Sequence, residues 1–490
     1  MTAADERRVL VVGAGMGAMA AAARLAAAGR PVTVLERAAT HGGALGRLAR
    51  DGFAFDTGPG LLHLPAVWRD LFLKTAPRGR GGPAGELADR LELRKVLDPA
   101  VEHRFADGRV LRLPGLSPGG VRRALDETLG AGAGARWGAL LSRARETWEA
   151  ARRPLLEEPL TSAGQRAGLG VARYPARRRG LLRRRAPSLA ELAAAELGDP
   201  ALAAVLTGTV QEYGLDPGRA PADAAVLAYV EQTFGSWYPV GGVRALADAL
   251  AARCRERGVT FRFGAEVVEV LGSGDRVAGV RLADGEPVAG ATVVWGAPRA
   301  GAHAGERPAG YGRFTLFLAL DGARPPGAAH RTLLHGAGGE EPVTLVLRPD
   351  DATLRPGPDR ETAVVSALVP HHGDGGLDWS DAALVARWRE RLLAATEAAG
   401  LRLRERVVWA ECRSPLDVAR ETGAPGGIVP PPALGGAGGA FLAAPNTGRL
   451  AGVYRVGAAA HPGGGLAHVG MSGALAAGLI VEGPDWRGSS

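Results

Sequence analysis

Val9-Leu-Val-Val12-Gly13-Ala-Gly15-Met16-Gly17-Ala18 decides the reading of this chain, and it opens on a short apolar, β-branched run. Four such residues ending at a glycine suit a fully buried parallel strand. An alanine-rich helix follows to Ala28, Gly29 stops it, and Val32-Thr-Val34-Leu35 forms a second strand that ends in Glu36. Each small residue has a physical reason. Gly13 permits a tight turn, Gly15 lets a pyrophosphate approach the backbone, and Ala18 allows the helix to pack closely on the strand. The helix start supplies free N–H groups and the positive end of its dipole, both suited to phosphate. Glu36 can accept hydrogen bonds from both ribose hydroxyls, which disfavours a 2′-phosphate there. Strand, glycine turn, helix, second strand and terminal acid are all in register, so a dinucleotide site is predicted at this end. The apolar stretch after Arg7-Arg8 superficially resembles a targeting segment, but glycines placed at a strand-to-helix turn point to a folded element.

At 490 residues, at least two cores are expected. Hydrophobic residues make up 46% and charged residues 22%, which excludes wholesale disorder. Glycine, at 73 residues, is the compositional outlier, with 34 Pro beside it. Cys254 and Cys412 lie far apart and in no CxxC pattern, so neither a disulfide framework nor a thiolate metal site is expected, and a reducing, cytoplasmic compartment fits. The net charge of +8 is densest at Arg177–Arg185. That run reads as a solvated face or as a peripheral contact with the inner, anionic face of a membrane. No aromatic platform accompanies it, so no nucleic acid is expected. No uninterrupted stretch reaches the ~20 apolar residues of a membrane span.

Downstream, His41-Gly42-Gly43-Ala44-Leu-Gly46-Arg47 is followed by Gly52-Phe-Ala-Phe-Asp56-Thr-Gly58-Pro59-Gly60-Leu61. Glu36-Arg37, a Gly-Gly pair and a Gly-Phe-x-Phe-Asp-x-Gly-Pro run together resemble the phytoene desaturase family of FAD-dependent oxidoreductases. That family shares its fold with amine oxidases and Rab GDP-dissociation inhibitors. Ala44 stands where the family usually has an Arg that reaches the FAD phosphates after the glycine pair, so that role is either absent here or taken over by Arg47. Gly235-Ser-Trp237-Tyr238-Pro-Val-Gly241-Gly242 leading into a helix over 243–257 is similar to the family's return from the substrate domain, and places Trp237 and Tyr238 toward substrate. Strands at 259–263 and 266–270 follow, and the resemblance gives Val267 a backbone contact to the adenine. Ala291-Thr-Val-Val-Trp295-Gly-Ala297-Pro resembles the family's flavin-side loop. Near the end, Gly452-Val-Tyr-Arg-Val-Gly457-Ala458-Ala-Ala-His461-Pro-Gly-Gly464-Gly465-Leu466 precedes a helix expected over 469–480. The family sets this segment against the ribityl chain and the isoalloxazine. Ala458, where many flavoproteins have Asp, looks like the carotenoid desaturases.

The resemblance implies an α/β fold, with a Rossmann-like FAD-binding domain interleaved with an α+β substrate domain of mixed sheet and helices. The FAD-binding segments are expected at 1–64, 237–305 and 416–490, and the substrate segments at 65–236 and 306–415. Between them, Ser188-x-x-Glu191 is a capping box opening a helix to Leu197, and Pro200 opens another to Val210. Strands are expected at 314–320, 342–347 and 363–369, and a helix at 379–399. Gly130–Gly134 and Gly435–Gly439 follow no strand and read as turns. His371-His372 with Asp374 sits among glycines and reads as a solvated loop, so no metal is expected.

The implied activity is FAD-dependent hydride exchange with a long, apolar, polyene-like small molecule, with desaturation as the leading outcome. Saturation, isomerisation and reductive ring closure remain open within one fold. Amine oxidation predicts an aromatic cage, and tyrosines are few. The GDP-dissociation inhibitors, which are lipid-binding proteins without catalysis, lack an intact fingerprint. His461 is the candidate catalytic group, either holding substrate or taking a proton, or else only ordering its glycine loop. His468 is a second candidate for facing substrate.

Overall fold

The computed structural model describes residues 8–77, 85–175, 186–298, 310–337 and 342–488. The Arg177–Arg185 run lies outside them. Val9–Val12 forms the centre of a five-stranded parallel sheet, paired with Thr292–Trp295 on one side and Val32–Glu36 on the other. Val453–Arg455 and Thr260–Phe263 complete its two edges, so the sheet gathers strands from three separated stretches of chain. Residue alternation decides its two faces. Val9, Val11, Val32 and Val34 pack on the helices Met16–Ala27 and Arg244–Glu256. Leu10, Val12, Leu35 and Val293 face a three-stranded antiparallel layer, Val267–Ser273, Arg276–Leu282 and Pro287–Ala289.

The alanines of the first helix serve close approach. A Cβ on Gly473 would meet Gly17 O at 2.5 Å and Ala20 Cβ at 2.7 Å. The terminal helix Leu466–Glu482 therefore lies in a seam of small residues against Met16–Ala27. It begins three residues before the expected start.

A seven-stranded mixed sheet forms the second layer, in the order 407–413, 311–321, 360–370, 344–347, 331–335, 101–105, 110–113. Its alternation is again informative. Phe314, Leu316, Leu318 and Leu320 pack with Val365 and Ala367 in the core that includes Leu392 and Leu393 of the helix Ala382–Ala398. That helix starts after Trp379, because the Asp381 side chain caps it by accepting from Ala383 N. Trp379 instead stacks on Phe314.

A block of helices, among them Ala133–Arg152, Leu189–Leu197, Pro200–Glu212 and Val226–Phe234, encloses a third core. The capping box at Ser188 is formed in both directions. Gly130 and Gly132, both at positive φ, turn the chain between two of these helices. Gly436 N donates to Leu169 O in the second glycine turn. Among the described residues no helix is long and apolar enough to cross a membrane, and no group of three or more His, Cys, Asp or Glu side chains is placed to hold a metal ion.

Candidate functional site: a nucleotide cleft opening into an apolar chamber

The first glycine turn does what its spacing requires. Gly13 takes φ +89° and donates its N–H to Leu35 O, joining the turn to the second strand. Gly15 caps the helix in extended backbone, with no side-chain cap and no acid in the first turn. The N–H groups and dipole of this helix start are thus left for a ligand. A Cβ on Gly15 would meet no protein atom within 4 Å, because the residue borders the cleft. A Cβ on Gly17 would lie 2.8 Å from Gly457 Cα, which is a packing requirement. Glu36 is buried and accepts from Ala14 N at 2.5 Å and Ala38 N at 2.8 Å. A carboxylate offers about four lone-pair directions, so ribose hydroxyls still find acceptors there. Arg37 also lines the cleft, tied down by donating to the Arg420 and Glu421 carbonyls.

The glycine pair folds back onto this turn. Gly42 N donates to Ala14 O, and a Cβ on Gly43 would stand 3.0 Å from Gly15 Cα. Ala44 borders the cleft beside them. Arg47 does not reach it: its guanidinium donates to Gly241 O instead, which corrects the expectation that it replaces the missing arginine. Arg244 is the arginine placed at this loop. It lines the cleft and donates to His41 O at 2.8 Å and Leu45 O at 3.1 Å, holding the loop around the glycine pair. Asp56 positions it, by accepting from Val243 N at 2.5 Å and Arg244 N at 3.1 Å at the start of that helix.

The cleft continues past Met16, Ala18, Val267 and Ala297 into a chamber, the two together forming one cavity of about 890 Å³. Gly58, Pro59, Gly60 and Leu61 border one side, and Gly457, Ala458, Gly464, Gly465 and Leu466 the other. Close approach explains the glycines. A Cβ on Gly464 would meet the backbone at Pro430 O at 1.8 Å, and one on Gly60 would meet the side chain of Leu347 at Cδ1, 2.4 Å away. An uncapped helix start, a carboxylate at the end of the second strand and glycine-lined walls fit a flavin dinucleotide running from Glu36 toward Gly465.

Beyond Gly60 the wall turns apolar, with Trp148, Leu155, Val226, Val230, Leu345, Leu347 and Val364. His468 borders this region, and burial pushes its pKa down to about 4, so the ring is neutral near pH 7. Three other expected substrate-facing residues are placed elsewhere. His461 is fully buried outside the chamber lining, with its pKa pushed down by burial to about 4. Its backbone donates to Ala444 O and accepts from Asn446 Nδ2, so the segment braces the glycine loop. Trp237 lies outside the lining, beneath Arg69 and Lys95 and donating to Phe234 O. Tyr238 is buried, and its hydroxyl donates to Asp351 Oδ2 at 2.8 Å. Both belong to the strand Ser236–Pro239, paired with Leu93–Val96, where as consecutive residues they point to opposite faces.

Sequence reasoning missed a polar cluster on the chamber. Arg331 pairs with Glu231 and, at 3.4 Å, with Glu212, and His63 and Tyr213 stand beside them. Burial raises Glu212 to about 7 against the pull of Arg331, and lowers the pKa of His63. Glu212, Tyr213, His63 and Arg313 all reach the cavity surface.

Residues 19–315 match the family described as flavin containing amine oxidoreductase. The chain is 29% identical, over 98% of its length and 99% of the relative's, to 4,4'-diapolycopene oxygenase of Methylomonas sp. It is 30% identical to phytoene dehydrogenase of Streptomyces griseus, over 79% of this chain and 78% of that one. Among solved structures, an A394C mutant of putrescine oxidase superposes with a TM-score of 0.63 at 16% identity, covering 97% of this chain and 99% of the other. A likeness at that identity speaks for the fold alone. The match covering more than half the chain, the relatives' identity and a cleft shaped for a flavin dinucleotide agree: this chain belongs to the flavin-containing amine oxidoreductase family and is an FAD-dependent oxidoreductase.

Proposed function

We propose that this protein is a carotenoid-desaturase-like enzyme that removes hydrogen from a long polyene and introduces a C=C bond. The observation carrying this reading is the apolar chamber that opens from the flavin end of the cleft, bordered by Leu345, Leu347, Val364, Val226 and Trp148. Bound FAD supplies hydride acceptance, or hydride donation for the reverse outcome. The chain's own task is binding and exclusion of water. Apolar side chains hold a reacting C–H bond in place, and Gly58 to Leu61, Gly457 to Ala459 and Gly464 to Leu466 border the cavity where cofactor and substrate would meet. In net terms, one carbon loses a hydride and its neighbour a proton. The names of the relatives, a phytoene dehydrogenase and a diapolycopene oxygenase, support a polyene in place of an amine.

The test is anaerobic incubation of the FAD-loaded protein with a panel of polyenes, with and without NADPH, followed by mass measurement. Desaturation gives a loss of two hydrogens and bleaching of the flavin absorbance. A gain of two assigns a saturase or reductive cyclase in its place. Oxidation of amines, with every polyene returned unchanged, overturns the reading.

A further inference from the structure

An all-hydrocarbon substrate needs no charge on its chamber, yet this chamber carries a guanidinium. The strand Tyr311–Asp321 alternates, with Phe314, Leu316 and Leu318 turned to the helix-covered core. Arg313 and Thr315 therefore share the opposite face, and both border the cavity. Ser366, the cross-strand partner of Thr315, joins them there. The Arg313 guanidinium donates to Ser366 Oγ at 3.2 Å and to the carbonyls of Gln211 and Glu212 at 3.3 and 2.9 Å. All three acceptors are neutral. Among the described residues Arg313 makes no ion pair, whereas its neighbour Arg331 is matched by Glu231 and Glu212. A guanidinium carries five N–H groups, so Nε–H and one Nη1–H are left without a protein acceptor among the described residues. Burial lowers its pKa, as expected for a cation held out of bulk water, and the nearby Glu212 carboxylate, outside ion-pair distance, pulls it partly back up.

The position along the strand matters. Phe317, opposite Val364, lies at the level of Leu347 and Gly60, next to the flavin end. Thr315 and Ser366 lie two residues further along, about 7 Å at the rise of an antiparallel strand, and the Arg313 backbone four residues, about 13 Å, with its guanidinium reaching back to Ser366. The patch is thus displaced from the reacting zone and can hold one end of a chain whose middle crosses Val364 and Leu347.

We infer that Arg313, with Ser366 and Thr315, anchors an oxyanion at one end of the substrate, so that this chamber takes a polyene bearing an acidic oxygen group such as a carboxylate. The inference rests on the reading of the chamber as a polyene site. Nε–H and the free Nη1–H lie on different edges of the guanidinium, so a carboxylate oxygen takes one charged N–H there, and a hydroxyl beside it adds a second donor.

All-trans retinoate and its neutral methyl ester are suitable probes, being the same polyene with and without the charge. Binding to the oxidised FAD-loaded protein is measured by equilibrium dialysis. Retinoate is expected to bind about 10- to 100-fold more tightly than the ester. Arg313→Leu should abolish that ratio while leaving ester binding in place, and Ser366→Ala should reduce it. Arg313 also braces the end of the helix Pro200–Glu212, and loss of that brace would weaken both probes alike, leaving the ratio intact. An acid-to-ester ratio near one in the parent protein, or one unchanged in both variants, overturns the anchor alone. Failure of both probes to bind overturns the polyene chamber as well.

Discussion

Replacing Gly15 by alanine separates the cofactor site from the fold, and Gly17→Ala is its counterpart. Gly15 has φ −73° and ψ 167°, backbone that alanine adopts without strain. Its added methyl meets no protein atom within 4 Å. The folded apoprotein acquires no clash and the unfolded chain loses freedom, so stability should be unchanged or raised by about 0.4–1 kcal/mol. At Gly17 the methyl would stand 2.8 Å from Gly457 Cα, 2.9 Å from Gly457 N and 3.0 Å from Val469 O, all backbone. Strand end or helix must shift, at about 1–3 kcal/mol, offset in part by about 1 kcal/mol of alanine's helix preference. The order of apoprotein stability is therefore Gly15→Ala at or above the parent, with Gly17→Ala below it. Cofactor affinity should differ in the opposite sense for the first variant. A methyl where the pyrophosphate must approach costs about 1–3 kcal/mol, roughly a 10- to 100-fold weaker FAD complex. Urea unfolding of the apoprotein and a fluorescence titration with FAD read the two effects separately. If Gly15→Ala bound FAD within about twofold of the parent, the phosphates would not cross this turn and the placement of the nucleotide would be wrong.

Arg244→Ala should weaken FAD binding about tenfold, because the loop at 41–45 loses two donors, whereas Arg47→Ala should change it by less than about threefold. Equal effects in the same titration would restore Arg47 to the site. Glu212 has a folded pKa of about 7 against an ordinary 4.5, so its contribution to stability is fully present below about pH 4.5 and is lost as pH rises through 7. Glu212→Gln should remove that slope, gaining on the parent by on the order of 3 kcal/mol between pH 4.5 and 8 in urea unfolding. A pH-independent difference would contradict the burial argument. His461 has the opposite sign: its pKa is depressed to about 4, so stability present above the ordinary 6.5 is lost on acidification toward 4. His461→Asn should flatten the acid limb by up to about 1.4 kcal/mol per pH unit. The same variant should keep polyene turnover within about threefold when loaded with FAD, since the ring lies outside the chamber lining. A loss of turnover with intact FAD binding would return His461 to the chemistry.

What could be read without coordinates was whatever the chain writes locally. Gly13 to Ala18 and Glu36 sit within one strand–helix–strand unit, so every requirement of the nucleotide turn falls within a few residues of its cause. The arginine at the glycine pair is different. Whether Arg47 or Arg244 reaches that loop depends on where a helix two hundred residues further on begins. Its beginning is set by Asp56, whose Oδ2 would lie 2.5 Å from a Cβ on Gly242. The Gly241-Gly242 pair was visible, but its reason, a carboxylate from another segment filling the space, was not. His461 misled for a related cause. Proximity in sequence to Gly464 and Gly465 does not give side-chain direction, and Ala444 and Asn446 fix that segment from a separate loop. The chamber wall was half legible. Alternation of Phe314, Leu316 and Leu318 with Arg313 and Thr315 declares two faces but not which one meets a helix. Only the Thr315–Ser366 register and the helix Ala382–Ala398 packed behind the strand turn the polar face inward, and with it a guanidinium that has no carboxylate partner among the described residues. Charge placed by long-range register is therefore what local sequence patterns do not show, and the acid-to-ester ratio at Arg313 tests whether it selects the end of a substrate.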